Sequence, residues 1–274
     1  MEQRHYREII ERLSSDIPQD LLSDLPSSYE VVGGIMLLGV PPSLERFKRV
    51  VAEAYLEVIG VDSVMGKKRI SGEFREPGHE LLAGDGTVTV HRENGIRYKI
   101  DLSRLMFSSG NINERIRMSK VKNVGHVVDM FAGIGYFSLP LAKHVGSRVT
   151  ALEKNPVSYG YLLENIRINR LEDLITAMNI DCRDYDGPDA KRIVMGYVRE
   201  TEKYLEKALG IAADGCIIHF HQTLPDKGLE VRLREQLGAA STRASCELEV
   251  LGVRKVKKYS PGVSHIVADL RVIF

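Results

Sequence analysis

The sequence predicts an α/β chain in which a small α+β domain precedes a larger domain built on a parallel sheet. Three observations predict it. From residue 126 onward, short apolar runs alternate with helical stretches, the pattern of strand–helix–strand units covered on both faces. Val127–Gly135 passes from an apolar strand into a Gly-x-Gly turn and then a helix. Within the first hundred residues, two alternating runs flank Asn94-Gly95. Asn-Gly is the strongest short hairpin signal, because both turn residues need positive φ.

Taken along the chain, Tyr6, Ile9, Ile10 and Leu13 keep helical spacing, and Pro18 and Pro26 interrupt the chain beyond them. The first 26 residues therefore read as a helix and then a break. A short strand runs from Val31 to Val40 and stops at Pro41-Pro42. A second helix starts at Ser43, where Ser-Leu-Glu-Arg supplies an N-cap and an acidic first turn. Its apolar positions Phe47, Val50, Val51, Ala54, Tyr55 and Val58 hold the 3.6-residue period. The runs starting at Thr87 and Ile96 form the hairpin. Residues 1–103 are thus the α+β domain. Residues 104–123 carry five basic side chains against one acidic and read as a basic linker. Residues 124–274 hold strands at Val127–Met130, Arg148–Glu153, Thr176–Ile180, Arg192–Gly196 and Cys216–Phe220. Helices of about 12–15 residues are expected between them. The chain closes on a hairpin, Leu248–Arg254 and His265–Ile273, joined across Lys257-Lys-Tyr-Ser-Pro-Gly.

Composition bounds the function. The chain has 274 residues, one to two domains at roughly 150 residues each, and is 43% apolar and 27% charged, which is globular. Lys plus Arg is 38 against 37 Asp plus Glu, a net charge of +1. That excludes a strongly basic tail but leaves room for a local nucleic-acid patch. Cys182, Cys216 and Cys246 show no C-x-x-C spacing, so neither a disulfide framework nor a structural zinc site is expected, and no metal is assigned. The N-terminus carries charge every few residues with no apolar signal core, and no run approaches the roughly 18 apolar residues of a membrane span. A monomeric cytoplasmic protein with no membrane contact is expected.

The nucleotide-like signature lies at Asp129–Ser138. Gly133 and Gly135 let backbone approach a ligand at a helix N-terminus, but the third glycine of the dinucleotide fingerprint is absent, since position 138 is Ser. Asp129 sits at the strand end, placed to hold an ammonium group or a water. Glu153 ends the next strand, 20 residues after Gly133, where an acid accepts from ribose hydroxyls. Asp181 ends the third strand, facing where an adenine amine would lie. Three acids at three consecutive strand ends suit S-adenosylmethionine better than a dinucleotide pyrophosphate. The bland alternatives are an ordinary strand–helix turn for the glycines and solvated carboxylates for Glu153 and Asp181.

These residues resemble a known family. Phe107-Ser108 with Glu114-Arg115-x-Arg117, Asp129-x-Phe-Ala-Gly-Ile-Gly-x-Phe-Ser138 and Glu153-Lys-x-Pro156 are similar to the superfamily of tRNA guanosine N1-methyltransferases that act beside the anticodon. The likeness extends upstream through Gly72-Glu-Phe-Arg-Glu-Pro77 and Glu93-Asn-Gly-Ile, and downstream through Asn165-x-x-x-Asn169. One departure selects a branch. The N1-methyltransferases carry an Asn-Leu-Pro type motif after the fourth strand, whereas here Met195 runs into Gly196-Tyr197-Val198. That sequence, with Ile217-Ile-His219-Phe-His221 and Lys258–His265, resembles the wybutosine-synthesis transferases. They move the 3-amino-3-carboxypropyl group of S-adenosylmethionine to carbon 7 of 4-demethylwyosine at position 37 of tRNA-Phe, and release methylthioadenosine.

The resemblance implies a Rossmann-like, S-adenosylmethionine-dependent methyltransferase fold with a seven-stranded sheet. It implies cofactor contacts at Ser108, Arg115, Gly133, Glu153, Asp181 and Cys182, the last mainly through its backbone. Read without the family, Ser108 is a turn hydroxyl, Arg115 pairs with a surface carboxylate, and Cys182 is a small buried filler. Which sulfonium-bound carbon reacts is a matter of positioning, and Arg115 with Ser108 is expected to grip the methionyl end, an Arg fork being suited to a carboxylate. Tyr197, His219 and His221 are the candidates for accepting the ring proton, and no catalytic base is assigned, since a strand histidine is more often structural. Arg46/Lys48/Arg49, Lys67-Lys-Arg69, Arg117/Lys120/Lys122 and Arg254/Lys255/Lys257/Lys258 are candidate phosphate contacts for the tRNA partner. The family's additional N-terminal recognition domain is not expected, the first 30 residues being too short for it. The competing readings are a tRNA guanosine N1-methyltransferase at the same position, a non-catalytic RNA-binding protein that keeps the pocket, and, more distantly, a nicotinamide dehydrogenase.

Overall fold

The structure is a computed structural model that describes residues 3–274. The chain divides into two compact units, one ending at Phe107 and the other running from Ser108 to Phe274. The helix expected at the start is α1, Gln3–Leu13, with Ile9 and Leu13 buried; Met1 and Glu2 lie outside the described residues. The strand expected over Val31–Val40 is instead a hairpin, β1 (Tyr29–Val32) and β2 (Ile35–Leu38). Gly33 turns it at φ +60°, and Gly33 N–H and Gly34 N–H donate to His91 Nδ1 and Thr89 Oγ1. A Cβ at Gly33 would lie 2.2 Å from Thr89 Oγ1, so only glycine permits that approach. The second helix begins at Pro42 rather than at a Ser43 cap, as a 3-10 stretch to Phe47. It then continues as α2 (Lys48–Ile59) until Gly60 closes it at φ +73°.

Two strands that carry no alternation come next, β3 (Ser63–Gly66) and β4 (Glu80–Gly84). They complete a sheet ordered β1-β2-β3-β4. β2, an inner strand between β1 and β3, is buried at all four positions, and its Met36 and Leu38 share one core with Val51, Ala52 and Tyr55 of α2. The hairpin β5 (Val88–Glu93) and β6 (Ile96–Asp101) turns at Asn94 (φ +46°) and Gly95 (φ +73°), as the sequence requires.

The second unit opens on α3 (Ile112–Met118), a helix with Glu114, Arg115 and Met118 buried, in the stretch read from sequence as linker. Then come β7 (His126–Asp129), α4 (Ser138–Val145), β8 (Arg148–Leu152), α5 (Pro156–Asn169) and β9 (Ile175–Met178). They are followed by β10 (Ala190–Val198), α6 (Leu205–Gly210), β11 (Ala212–Pro225), α7 (Leu229–Ala244), β12 (Glu247–Ser260) and β13 (Val263–Ile273). The uniform helix length expected from sequence is not found: α4 has 8 residues, closed by Gly146 at φ +70°. Between β9 and β10 there is only a 3-10 turn, Cys182–Asp184.

The sheet order is β12-β13-β11-β10-β7-β8-β9. β7 to β11 run parallel, and β13 pairs antiparallel with β11 and β12. This is the seven-stranded Rossmann-like sheet. The chain leaves β7 toward β8 and β9, then returns to β10 on the other side of β7. That reversal makes the crevice beyond the carboxyl ends of β7 and β10 the place where a ligand binds in such a sheet. Val128, Ile193, Met195, Ile218, Phe220 and Leu270 fill the core behind it.

Candidate functional site

The crevice is built from the loop after β7. Gly133 (φ +57°) and Gly135 (φ +101°) hold conformations that a side chain resists. A Cβ at Gly133 would lie 3.0 Å from the Tyr136 ring, and one at Gly135 would lie 2.7 Å from Leu139 Cγ. Asn165 of α5 donates from Nδ2 to Ile134 O at 3.1 Å and fastens the loop from behind. Asn169 Nδ2 donates in turn to Asn165 O at 2.8 Å, so the Asn165-x-x-x-Asn169 motif is a brace for the turn.

Asp129 does not reach the surface of the crevice. It is fully buried, accepts from Ser138 Oγ at 2.7 Å, and is pushed up to about 6 by burial. Its place is to tie the strand end to the first residue of α4, which corrects the expectation that it holds an ammonium group.

Glu153, half-buried just beyond β8, accepts Gly133 N–H on Oε2 and Asn155 N–H on Oε1, both at 2.7 Å. Burial raises its pKa while the two N–H donors pull it down. Each oxygen keeps a further lone pair, which is what a ribose diol requires. Gly133 and Glu153 are thus one unit, the glycine N–H orienting the acid.

Asp181 caps the 3-10 turn by accepting Arg183 N–H at 3.0 Å. The Arg183 guanidinium binds the same carboxylate at 2.9 and 2.6 Å and, with Lys154, holds it well below the usual carboxylate range. Cys182 is buried, and its thiol is pushed up to about 12 by desolvation, so it offers backbone and bulk rather than a thiolate.

Ser108 and Arg115 meet. Arg115 is buried and donates from Nη1 to Ser108 O at 2.9 Å, with its guanidinium 5.9 Å from the Tyr136 ring centre. It is therefore anchored inside the unit and is not the surface-paired arginine of the bland reading.

Three features are not legible in the sequence. Phe131 and Tyr197 stack at 5.2 Å and 21°, and Tyr204 meets both edge-on, an aromatic wall across the ends of β7 and β10. Val198, which ends β10, sits at φ +76°, a strained value for a β-branched residue, and holds its carbonyl on Thr223 Oγ1. Beneath α3 lies a buried ionic network. Arg117 binds Glu114 and Asp269, and Asp269 also takes His219 Nδ1 at 2.6 Å and Arg254 at 2.7 Å. His219 Nε2 meets Arg192 at 2.5 Å. Both nitrogens of His219 are thereby engaged, and desolvation lowers its pKa. His221 is buried against Phe137 and His265. The basic patches are partly self-neutralised: Lys48 and Lys68 pair with Glu80, Lys67 with Glu30, and Lys255 with Asp226. Among the described residues no group of His, Cys, Asp and Glu is arranged to hold a metal, and no helix is long and apolar enough to cross a membrane.

Comparison with known proteins agrees with this geometry. Residues 89–251 match the family model of the TRM5/TYW2 methyltransferase domain, and residues 9–87 match that of the TYW2 N-terminal domain. The chain is 46% identical over 266 residues to the tRNA(Phe) (4-demethylwyosine(37)-C(7)) aminocarboxypropyltransferase of Pyrococcus horikoshii, covering 96% of each. It is 34% identical to the tRNA (guanine(37)-N(1))-methyltransferase Trm5b of Pyrococcus abyssi, covering 98% of this chain and 80% of that protein. The crystal structure of P. horikoshii TYW2 in complex with MeSAdo superposes with a TM-score of 0.89 at 44% identity, covering 98% of this chain and 99% of that one. The chain belongs to the TRM5/TYW2 family.

Proposed function

We propose that this protein transfers the 3-amino-3-carboxypropyl group of S-adenosylmethionine to carbon 7 of 4-demethylwyosine at position 37 of tRNA-Phe. The observation that carries the reading is the end-to-end match to an aminocarboxypropyltransferase at 46% identity, against 34% for the methyltransferase. The departure at Gly196-Tyr197-Val198, where the N1-methyltransferases carry an Asn-Leu-Pro type motif, supports the same branch. The nucleoside end of the donor fits the donor set at the crevice: Glu153 takes the ribose hydroxyls, Asp181 and the backbone of Cys182 take the adenine edge, and Gly133 allows close approach. Ser108 and Arg115 take the methionyl end.

The sulfonium supplies three activated carbons, and the protein decides which one meets the base. Holding the amino-acid arm rather than leaving it extended aims its γ-carbon at the acceptor, and positioning of this kind dominates the rate. The electron-rich ring carbon needs no polarising Asn. The acceptor base must be extruded from the anticodon loop to reach the crevice. His219 has both nitrogens committed to Asp269 and Arg192 and is set aside as the proton acceptor. Three free cysteines support a reducing, cytoplasmic setting.

The test is to incubate protein, S-adenosylmethionine and tRNA-Phe bearing 4-demethylwyosine, and to identify the nucleoside by-product. Methylthioadenosine is expected. S-adenosylhomocysteine would make the protein a methyltransferase, and neither product would make it a binding protein.

A further inference from the structure

The hairpin that closes the chain brings a second cation to the Ser108 site. Lys257 Nζ donates to Ser108 Oγ at 2.7 Å, while Arg115 Nη1 donates to the carbonyl of the same residue at 2.9 Å. Two features of the backbone set Lys257 there. Along β12, Lys255 pairs with Ile266 and Lys257 with His265, so Val256 is an extra residue in the register. A one-residue bulge reverses the face a side chain presents and is a common device for re-aiming one. Lys255 accordingly reaches Asp226, whereas Lys257 reaches Ser108. The second feature is Gly110, in the 3-10 turn after Ser108. A Cβ there would lie 3.2 Å from Lys257 Cδ and 3.4 Å from Nζ, so the bare glycine leaves the channel that the lysine stem occupies. The same position is not otherwise demanding, since Gly110 does not have a positive φ.

We propose that Lys257 is a donor-binding residue that, with Arg115, holds the carboxylate of the methionyl arm of S-adenosylmethionine at Ser108 and so fixes the arm's orientation. The inference rests on the placement of that arm beside Ser108 and Arg115 in the proposed function. Arg115 supplies a planar fork and Lys257 a point charge that moves on a flexible stem. A carboxylate between them trades the neutral Ser108 acceptors for a charged one, and charge-assisted hydrogen bonds are about twice as strong as neutral ones. The group that carries this carboxylate is the group transferred, so the grip acts on the moving half of the donor and not on the departing nucleoside.

The experiment measures Lys257→Gln and Gly110→Ala against the parent chain, using binding calorimetry with two probes, S-adenosylmethionine and methylthioadenosine, which has no carboxylate. Lys257→Gln should weaken S-adenosylmethionine at least tenfold and leave methylthioadenosine within twofold, with an unchanged melting temperature. Gly110→Ala, which keeps the lysine but displaces it, should weaken S-adenosylmethionine in the same selective way by a smaller factor. Equal loss for both probes would make Lys257 a structural prop and overturn the proposal. Unchanged binding of both probes together with weaker tRNA binding would make it a phosphate contact and overturn it equally. Binding needs no turnover: a selective loss in a protein that releases S-adenosylhomocysteine would keep the carboxylate grip and reject the aminocarboxypropyl reading.

Discussion

Asp269 ties three elements of the second unit together through one carboxylate. Its two carboxylate oxygens accept from His219, Arg117 and Arg254 across β11, α3 and β12, at 2.6 to 3.3 Å. Its side chain is 13% exposed and that of His219 is 2% exposed. Asp269→Ala removes the acid in contact with His219 and leaves Arg117 on Glu114 alone, with Arg192 and His219 still beneath it. Breaking a buried ion pair from one side costs about 3–5 kcal/mol, because the remaining charge stays desolvated. Arg254, 41% exposed, regains water and is discounted. For a chain of this size each kcal/mol moves the melting temperature by about 2–4 °C, so a drop of roughly 6–20 °C is expected. Circular dichroism melts and urea titrations at neutral pH measure it. Arg271→Ala on the same strand is the comparator. Its pairing with Glu249 is 45% exposed on both sides, and it should cost less than about 1 kcal/mol. If the two variants behave alike, or if Asp269→Ala lies within about 1 kcal/mol of the parent, Asp269 does not hold the network together. Because Arg117, which Asp269 holds directly, lies two residues from Arg115 on α3, Asp269→Ala should also weaken S-adenosylmethionine binding.

Further expectations concern the crevice. Glu153→Gln places an amide N–H₂ against the Gly133 or Asn155 N–H donor and should weaken S-adenosylmethionine by about 1.4–2.8 kcal/mol, or 10–100-fold, in calorimetry. Gly135→Ala, strained at φ +101° and driven into Leu139, should abolish donor binding and lower stability by at least about 1–2 kcal/mol in urea titration. Asp129, raised to about 6 in the fold against about 3.9 unfolded, opposes folding when ionised. Its protonated form is favoured below that window, and the advantage is lost as pH rises through 6. Asp129→Asn should therefore be more stable than the parent by about 1–3 kcal/mol at about pH 8, with the gap closing toward about pH 4; the histidines, common to both, cancel in the difference. A pH-independent gap would contradict it. Cys182, with its thiol pushed up to about 12, should resist alkylation in the folded protein, and Cys246, half-buried, should label first in a mass-resolved time course.

The sequence was informative where local chemistry is compulsory. Asn94-Gly95 needs a hairpin wherever it falls between alternating runs, and Gly133 and Glu153 stand at a spacing that brings backbone N–H and carboxylate together. Elements set by long-range pairing were not legible. β3 and β4 have no alternation of their own and exist because β2 needs partners. The Lys257–Ser260 stretch, polar enough to read as a turn, is edge strand: lysines on an edge are compatible with pairing on the inner side and discourage pairing on the outer. The turn is only Pro261-Gly262, with the glycine at φ +71°. Without the family resemblance Arg115 reads as a surface residue, because its burial is created by α3, a helix of 7 residues with no strong periodicity. Asp129 read as a ligand contact because the strand end was right. Its partner, Ser138, is nine residues on, and only the tight Gly-x-Gly turn brings the two within 2.7 Å.

The most direct measurement uses S-adenosylmethionine labelled with carbon-14 in the carboxyl group and tritium in the methyl group, with counting of purified tRNA-Phe after reaction. Aminocarboxypropyl transfer predicts carbon-14 in the tRNA and tritium left on the small nucleoside; tritium in the tRNA without carbon-14 would contradict it.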